Sequence, residues 1–358
     1  MIIFDNIIFS IQRVGGISVY WSELIKRVEE KSAIRHGYIE YDNANENIFR
    51  KELRLGNIYR NSRHKKIIRY LPVNIKKNYP FIFHSSYYRI CKNKNAINVT
   101  TVHDFTYEYF YHGMRKFIHC YQKYKAIRKS DVIVCISENT KKDLLRLLPD
   151  VDPLKVRVIY NGVSEDYHPT TCDEDIHYPF TKRTYVLFVG SRAIYKNFEL
   201  AVHAVAQAKY NLMIIGSPLS NKEESFLNNK LGDSRFKQLG YVSNHDLNSL
   251  YNNAFALLYP SMYEGFGLPV IEAQKAGCPV IAYQGSSIPE VIGDTPLLIG
   301  ELSVVQILNA FNILEDENHR TNIIDKGLHN SSRFTWNNMY NQLIKVYEEA
   351  WHSKKDIS

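Results

Sequence analysis

Two doubly wound α/β domains in tandem are the fold this sequence predicts, and three observations predict it. Short apolar strands alternate with helical patterns, the alternation runs twice, and a polar, proline-containing break separates the two runs. The length of 358 residues suits two domains of ordinary size. Strands this apolar belong to parallel sheets covered by helices on both faces. Such sheets bind ligands beyond the carboxyl ends of their strands, so a cleft between the domains is the expected site.

The first run opens on the strand Ile2-Ile3-Phe4-Asp5. A Gly15-Gly16 loop follows, then a helical pattern through Val19, Leu24, Ile25 and Val28. Further strands are predicted over Phe81 to His84, Val99 to His103, Val132 to Ile136 and Val156 to Tyr160. Ser137 stands where a helix N-cap belongs, ahead of the amphipathic stretch Lys141 to Leu148. The break runs from Ser164 to Pro179. Strands are then predicted over Tyr185 to Val189, Leu212 to Ile215, Gln238 to Gly240, Ala256 to Tyr259 and Pro279 to Ala282. The helices between them cover Asn197 to Ala208, Lys222 to Leu231, Asp246 to Asn253 and Leu268 to Ala276. A helical tail begins at Trp336. The expected division is a first domain over 1–165, a linker over 166–182, a second domain over 183–335, and a terminal helix over 336–358 that packs back on the first domain.

Charge is unevenly spread. The whole chain carries a surplus of eight cations, with 26 tyrosines. Between Arg50 and Lys94 there are thirteen cations and only Glu52 to oppose them, a local surplus of twelve, so the rest of the chain is acidic by four. A basic total fits a nucleic-acid binder, a protein on an anionic membrane, or an enzyme for phosphorylated substrates. No nucleic-acid motif is present, and the belt lacks regular stacking platforms, so no nucleic-acid partner is expected. The segment His64 to Pro72, with cations flanking apolar residues, reads as an interfacial stretch on an anionic membrane surface. No apolar run approaches the 18 or so residues of a membrane span. Five cysteines without a CxxC spacing read as reduced thiols with no zinc site. A cytoplasmic protein, peripheral on the inner face of the membrane, is the expectation.

The strongest motif is EGFGLPVIEA, residues 264–273, which joins the strand Ala256 to Tyr259 to the next helix. Gly265 and Gly267 let the backbone approach a ligand, and Pro269 suits a helix's first turn. A helix N-terminus offers free N–H groups to an anion. Glu264 precedes the turn and Glu272 lies about one turn into the helix, so both can face one site. Carboxylates are poor phosphate ligands and good acceptors for hydroxyls, which suggests a sugar on one side of the phosphates and a ribose on the other. Read alone, the pair also fits an ordinary helix start with a solvated glutamate. The second motif sharpens it: after the strand Tyr185 to Val189 come Gly190-Ser191-Arg192 and then Lys196, two cations in a strand-to-helix loop where a pyrophosphate would be clamped. Two D-x-D strings, Asp150-Val151-Asp152 and Asp173-Glu174-Asp175, follow no strand directly and read as turn or linker acids, so no metal is expected.

Taken together, EGFGLPVIEA, GSRAIYKN (190–197), VCISENTKKDL (134–144), VIYNGV (158–163), Gly15-Gly16-Ile17-Ser18 and Val102-His103-Asp104 resemble the group-1 family of retaining GT-B glycosyltransferases. The opening FDNIIFSIQRVGGISVYW and the stretch HDFTYEYF are further similar to mannosyltransferases of bacterial surface-polysaccharide pathways. The resemblance implies a metal-independent, retaining hexosyltransferase that needs no cofactor. Its nucleotide-sugar donor would be GDP-mannose and its acceptor a lipid-linked glycan of O-antigen or capsule. It implies that Glu264 contacts hydroxyls of the donor sugar and Glu272 those of the ribose. Arg192 and Lys196 would hold the pyrophosphate, and His103 would donate a hydrogen bond to the transferred sugar. Gly15, Gly16, Gly190, Gly265, Phe266, Gly267 and Leu268 would complete the donor site. No covalent nucleophile is evident, so a front-face mechanism with the departing phosphate as base is implied. A UDP-hexose or deoxysugar-nucleotide donor, a sugar-nucleotide epimerase on the same scaffold and, from another class, a basic nucleic-acid-binding protein are the competing readings.

Overall fold

The structure, a computed structural model, describes residues 1–31, 33–61, 68–170 and 179–355. Asp173-Glu174-Asp175, Cys172 and the belt positions Arg63, His64, Lys65 and Lys66 lie outside the described residues. The chain forms two compact units, Met1–Gly162 with Trp336–Ser358, and Val163–Thr335.

The first unit holds a parallel seven-stranded sheet in the order β3-β2-β1-β4-β5-β6-β7. Its strands are β1 (Ile2–Asp5), β2 (His36–Tyr41), β3 (Ile58–Asn61), β4 (Phe81–Ser85), β5 (Ala96–Val102), β6 (Val132–Cys135) and β7 (Val156–Val158). All the residues of β1, β4 and β5 are buried, as strands covered on both faces must be. Ser137 caps the helix Glu138–Leu147 by accepting the Thr140 N–H at 3.0 Å. The terminal helix Trp336–Lys355 belongs to this unit. There the Tyr347 hydroxyl meets His84 Nδ1 at 2.5 Å, and Trp336 stands edge-on to Tyr20.

The second unit holds a parallel six-stranded sheet in the order β10-β9-β8-β11-β12-β13. Its strands are β8 (Tyr185–Val189), β9 (Asn211–Ile215), β10 (Phe236–Leu239), β11 (Ala256–Tyr259), β12 (Val280–Tyr283) and β13 (Leu298–Ile299). The polar stretch before it is tied down by asparagines of the helix Asn244–Asn253. The His168 N–H donates to Asn248 Oδ1 at 3.0 Å and the Thr170 N–H to Asn252 Oδ1 at 2.8 Å. Strand order reverses between β1 and β4 in the first sheet and between β8 and β11 in the second. Such reversals are where open α/β sheets bind ligands, because the connecting helices diverge to opposite faces and leave a crevice.

Three strands escape the sequence reading. In β2, Gly37 and Glu40 interrupt the apolar pattern, yet Glu40 is buried and neutralised by a bidentate bond from Arg50. Strand β3 is a half-exposed edge, and β13 is two residues long.

The basic belt also reads differently in space. Arg50 and Arg89 turn inward to Glu40 and Asp5, so two of its thirteen cations are neutralised by acids that precede the belt in sequence. Lys51, Arg54, Arg60, Lys76, Lys92 and Lys94 are exposed.

Candidate active site

Both strong sequence motifs fall on the loops that leave β8 and β11, the two strands flanking the reversal in the second sheet. Strand β8 gives way to Gly190, whose φ of 123° is open to glycine and strained for other residues. It abuts Gly216 at the end of β9, where an added Cβ would lie 2.7 Å from the Gly190 carbonyl oxygen. The loop then turns through Ile194–Lys196, and Asn197, at φ 52°, starts the helix Phe198–Ala206.

The β8 and β11 loops are stitched together. Asn197 Nδ2 donates to the Pro260 carbonyl at 2.8 Å, and the Met262 N–H donates to the Tyr195 carbonyl at 2.7 Å. This places the Lys196 ammonium against the rings of Tyr195 and Tyr259, 5.5 and 5.2 Å from their centroids. Lys196 Nζ forms an ion pair with Glu264 and lies 3.3 Å from the Tyr259 hydroxyl. The expected phosphate cation and the expected sugar-hydroxyl acceptor are therefore in direct contact, sixty-eight positions apart in sequence. A half-buried pair of this kind is screened less than a surface one.

The turn after Glu264 is held from the β12 side. The Glu264 N–H donates to Ser286 Oγ at 2.7 Å, and the Ser287 hydroxyl donates to the carbonyls of Glu264 and Phe266 at 2.9 and 3.1 Å. Gly267 caps the helix Leu268–Lys275 with φ 99°, and a Cβ there would press on Ile288 Cδ1 at 2.9 Å. Gly265 and Phe266 are buried, and Leu268 is half-buried at the helix start.

Glu272, one turn into that helix, accepts from the Tyr251 hydroxyl at 3.2 Å. Burial pushes its carboxyl up to about 7, the Tyr251 hydrogen bond opposing the shift. Burial, with Glu264 nearby, holds the Tyr259 phenol well above its ordinary value. With its folded value above the ordinary 4.5, Glu272 contributes stability that is complete below pH 4.5 and is lost as pH rises through about 7. Glu272→Gln should remove this dependence. Its stability relative to the wild type, measured by urea unfolding, should improve by something on the order of 3 kcal/mol between pH 4.5 and 8; parallel curves would refute the burial assigned to the carboxyl.

Arg192 is engaged elsewhere. It bonds Glu223 through Nε at 2.6 Å and the carbonyls of Ser217 and Pro218 at 2.9 and 2.7 Å. Glu223, the N3 residue of a capping box with Ser220, is held down to about 2, chiefly by that Arg192 bond. Most of the guanidinium's N–H groups are thus occupied in fixing the loop after β9.

In the first unit, Gly15 and Gly16 lead into the helix Gly16–Lys31. A Cβ on Gly15 would meet Gln12 Oε1 at 2.8 Å, while Asn47 pins the loop through the Gln12 carbonyl and Ser18 Oγ at 2.9 and 3.0 Å. His103 leaves β5 buried, edge-on to Tyr20 at 5.0 Å. Burial lowers its imidazole to about 4, so it is neutral at pH 7 and carries one ring N–H. Beside it Lys123, fully buried, donates to the Asp104 carbonyl and to Glu108 Oε2, both at 2.9 Å. Asp150 takes Arg128, and Asp152 caps the turn Pro153–Lys155, so these two acids serve separate local bonds.

The sequence motifs do not point to Tyr259, Ser286, Ser287 or Glu223 as members of the site. Gly285-Ser286-Ser287 does carry a legible signal, since it joins β12 to the helix Ile288–Ile292 as the other site loops join theirs.

The family model described as "Glycosyl transferases group 1" matches residues 173–329, and "Glycosyltransferase Family 4" matches 14–167. The chain is 27% identical to an O-antigen chain mannosyltransferase B of Escherichia coli, covering 63% of this chain and 62% of that one. It is 32% identical to an O-antigen chain mannosyltransferase, RfbU, of Salmonella typhimurium over 45% of this chain and 44% of that one. The chain thus spans less than two thirds of the length of either of these relatives. Among solved structures, Anabaena HepE, in complex with UDP and glucose, superposes with a TM-score of 0.72 at 15% identity, covering 97% of this chain and 99% of that one. That likeness concerns the fold, two parallel-sheet Rossmann-like domains of the GT-B kind. With the two domain matches in order across most of its length and a sequence similar to O-antigen mannosyltransferases, the chain belongs to the group-1 glycosyltransferases.

Proposed function

We propose that this protein is a retaining hexosyltransferase that moves mannose from GDP-mannose to a lipid-linked glycan during assembly of a surface polysaccharide. The observation that carries the reading is the Lys196–Glu264 pair at the strand-order reversal of the second sheet, with Glu272 on the helix that follows. A nucleoside diphosphate sugar presents hydroxyls, a pyrophosphate and a ribose in that order. Glu264 in contact with Lys196, and Glu272 one turn into the helix that follows, supply groups for those three parts. Lys196 neutralises charge building on the leaving phosphate, aided by the N–H groups at Leu268. Arg192 fixes the wall of the phosphate site and offers it a remaining N–H. Glu264 accepts from sugar hydroxyls, Glu272 from the ribose, and neutral His103 donates to the transferred sugar. The transition state is oxocarbenium-like, and the departing phosphate takes the proton of the acceptor hydroxyl on the same face. Fixed cations and a helix terminus supply this stabilisation without a metal or cofactor.

Thermal-shift measurements with GDP, UDP, dTDP and their sugars test the donor. GDP and GDP-mannose should raise the melting temperature most, since a ligand that binds only the native state stabilises it by mass action. A larger shift with UDP-hexose moves the donor assignment, and no shift with any nucleotide overturns it. In calorimetry Lys196→Ala and Arg192→Ala should both weaken GDP binding, Lys196→Ala by about tenfold or more; unchanged affinity in both would remove the phosphate site. Product analysis with and without acceptor separates transfer from epimerisation.

A further inference from the structure

The helix Gly113–Lys129 in the first unit has an outer face that no described residue of its unit covers. Its inner face buries Gln122, Lys123, Ala126 and Ile127. The opposite face carries Met114, Phe117, Ile118 and Tyr121, exposed by 70, 67, 41 and 59%. Met114 is three and four positions from Phe117 and Ile118, and Tyr121 is four and three positions from the same two, so the four form a single ridge. Phe117 and Tyr121 lie with ring planes 17° apart, and Lys125 Nζ sits 5.6 Å from the Tyr121 centroid. Soluble surfaces scatter single apolar side chains; four large ones in register on one helix mark a contact surface.

The charges beside the ridge identify the partner. The helix contains no Asp or Glu and six cations, Arg115, Lys116, Lys123, Lys125, Arg128 and Lys129. Lys123 is consumed inside the protein and Arg128 bonds Asp150. Arg115, Lys125 and Lys129 stand exposed on the flanks of the ridge. The apolar surface continues sideways to Tyr70 and Leu71, exposed by 45 and 46%, across a groove of about 140 Å³ that Ile118, Tyr121 and Lys125 also line. Tyr70 and Leu71 are the described end of the interfacial stretch read from sequence. A convex ridge of aromatic and aliphatic side chains, flanked by long cations that can lift their charges to a phosphate plane, fits a bilayer: apolar groups enter the acyl boundary and ammonium groups meet the headgroups.

We propose that this helix face, together with Tyr70 and Leu71, docks the protein on an anionic lipid bilayer, the ridge inserting and the flanking cations meeting phosphate. The proposal deepens the reading of a lipid-linked acceptor and rests on it only for the use of such docking. The belt cations of β3 and the 92–94 loop add attraction without inserting.

Co-sedimentation of the full chain with vesicles of phosphatidylcholine, and of phosphatidylcholine with phosphatidylglycerol, tests it. The wild type should partition onto the anionic vesicles and less so at high salt. Phe117→Ser combined with Tyr121→Ser should lower that partition by about tenfold or more, while melting temperature and GDP affinity stay those of the wild type. Phe117→Trp should shift its emission to the blue on anionic vesicles. Lys92→Ser with Lys94→Ser should change partition by less than the ridge variant does. Absence of binding to anionic vesicles, equal binding to neutral ones, or unchanged partition of the ridge variant overturns the proposal. Binding of an acidic protein without any vesicle binding would give the face to a protein partner instead. Loss of the GDP response in the wild type would strike the donor-site reading and leave the vesicle result standing.

Discussion

Lys196→Ala should lower kcat/KM for transfer by about 10²–10³, with most of the loss in kcat. The ammonium sits between two tyrosine rings and against Glu264, so it is held in place before any substrate arrives. Its side chain and that of Glu264 are each only about an eighth exposed, which keeps water from screening the charge. A fixed cation a few ångströms from a leaving phosphate contributes a few kcal/mol there, more than it gives the ground state, because charge grows as the bond breaks. The variant also strips Glu264 of its partner, so the single substitution mixes lost catalysis with a newly unpaired acid. Lys196→Met with Glu264→Gln removes both charges together and should unfold no more readily than the wild type while remaining inactive. Lys196→Arg keeps the charge but replaces a compact ammonium by a planar fork, and should recover part of kcat. Steady-state assays with GDP-mannose and acceptor separate the two constants. A deficit confined to KM would make Lys196 a binding group and remove it from the chemistry.

The sequence exposes the parts of this site that are local. Glycines after a strand, a proline in a helix's first turn and acids eight positions apart are neighbours along the chain, and the structure sets them around one strand-order reversal. What the sequence hides is long-range pairing. The Lys196–Glu264 contact and the Arg192–Glu223 contact each join segments that composition treats as separate. The same blindness inflates the basic belt, since Glu40 and Asp5 lie on strands that precede it. It conceals β2 as well, because a buried Glu40 reads as a surface residue until Arg50 is seen beside it. The helix Gly113–Lys129 is hidden for another reason: apolar residues at helical spacing look the same on a packed face and on an open one, and only three-dimensional exposure shows which of them face out.

Asp5→Ala should destabilise the first unit by about 3–5 kcal/mol, the largest stability loss expected from any single change in its sheet. Asp5 ends β1, fully buried, and Arg89 Nη1 approaches both its carboxylate oxygens at 3.0 and 2.9 Å. The Ser85 hydroxyl donates to Oδ2 at 2.8 Å, while Arg89 Nε reaches the Leu71 carbonyl at 2.9 Å. One ion pair thus ties β1 to the end of β4 and to the chain leading into the ridge groove. Removing the acid leaves a guanidinium buried without a counter-charge, and Arg89→Leu leaves the reverse; each should cost a similar amount in urea unfolding. Asp5→Leu with Arg89→Leu removes both charges and should cost less than the two single losses added, because desolvation of the pair is then no longer paid. Asp5 also stands at the carboxyl end of a strand beside the first sheet's reversal, where a ligand contact would be reasonable. Its complete burial and full set of protein bonds argue for structure instead. Asp5→Asn decides between the two: a weakened fold with kcat intact below the melting transition fits the ion pair, whereas a stable fold with lost activity would make Asp5 part of the substrate site.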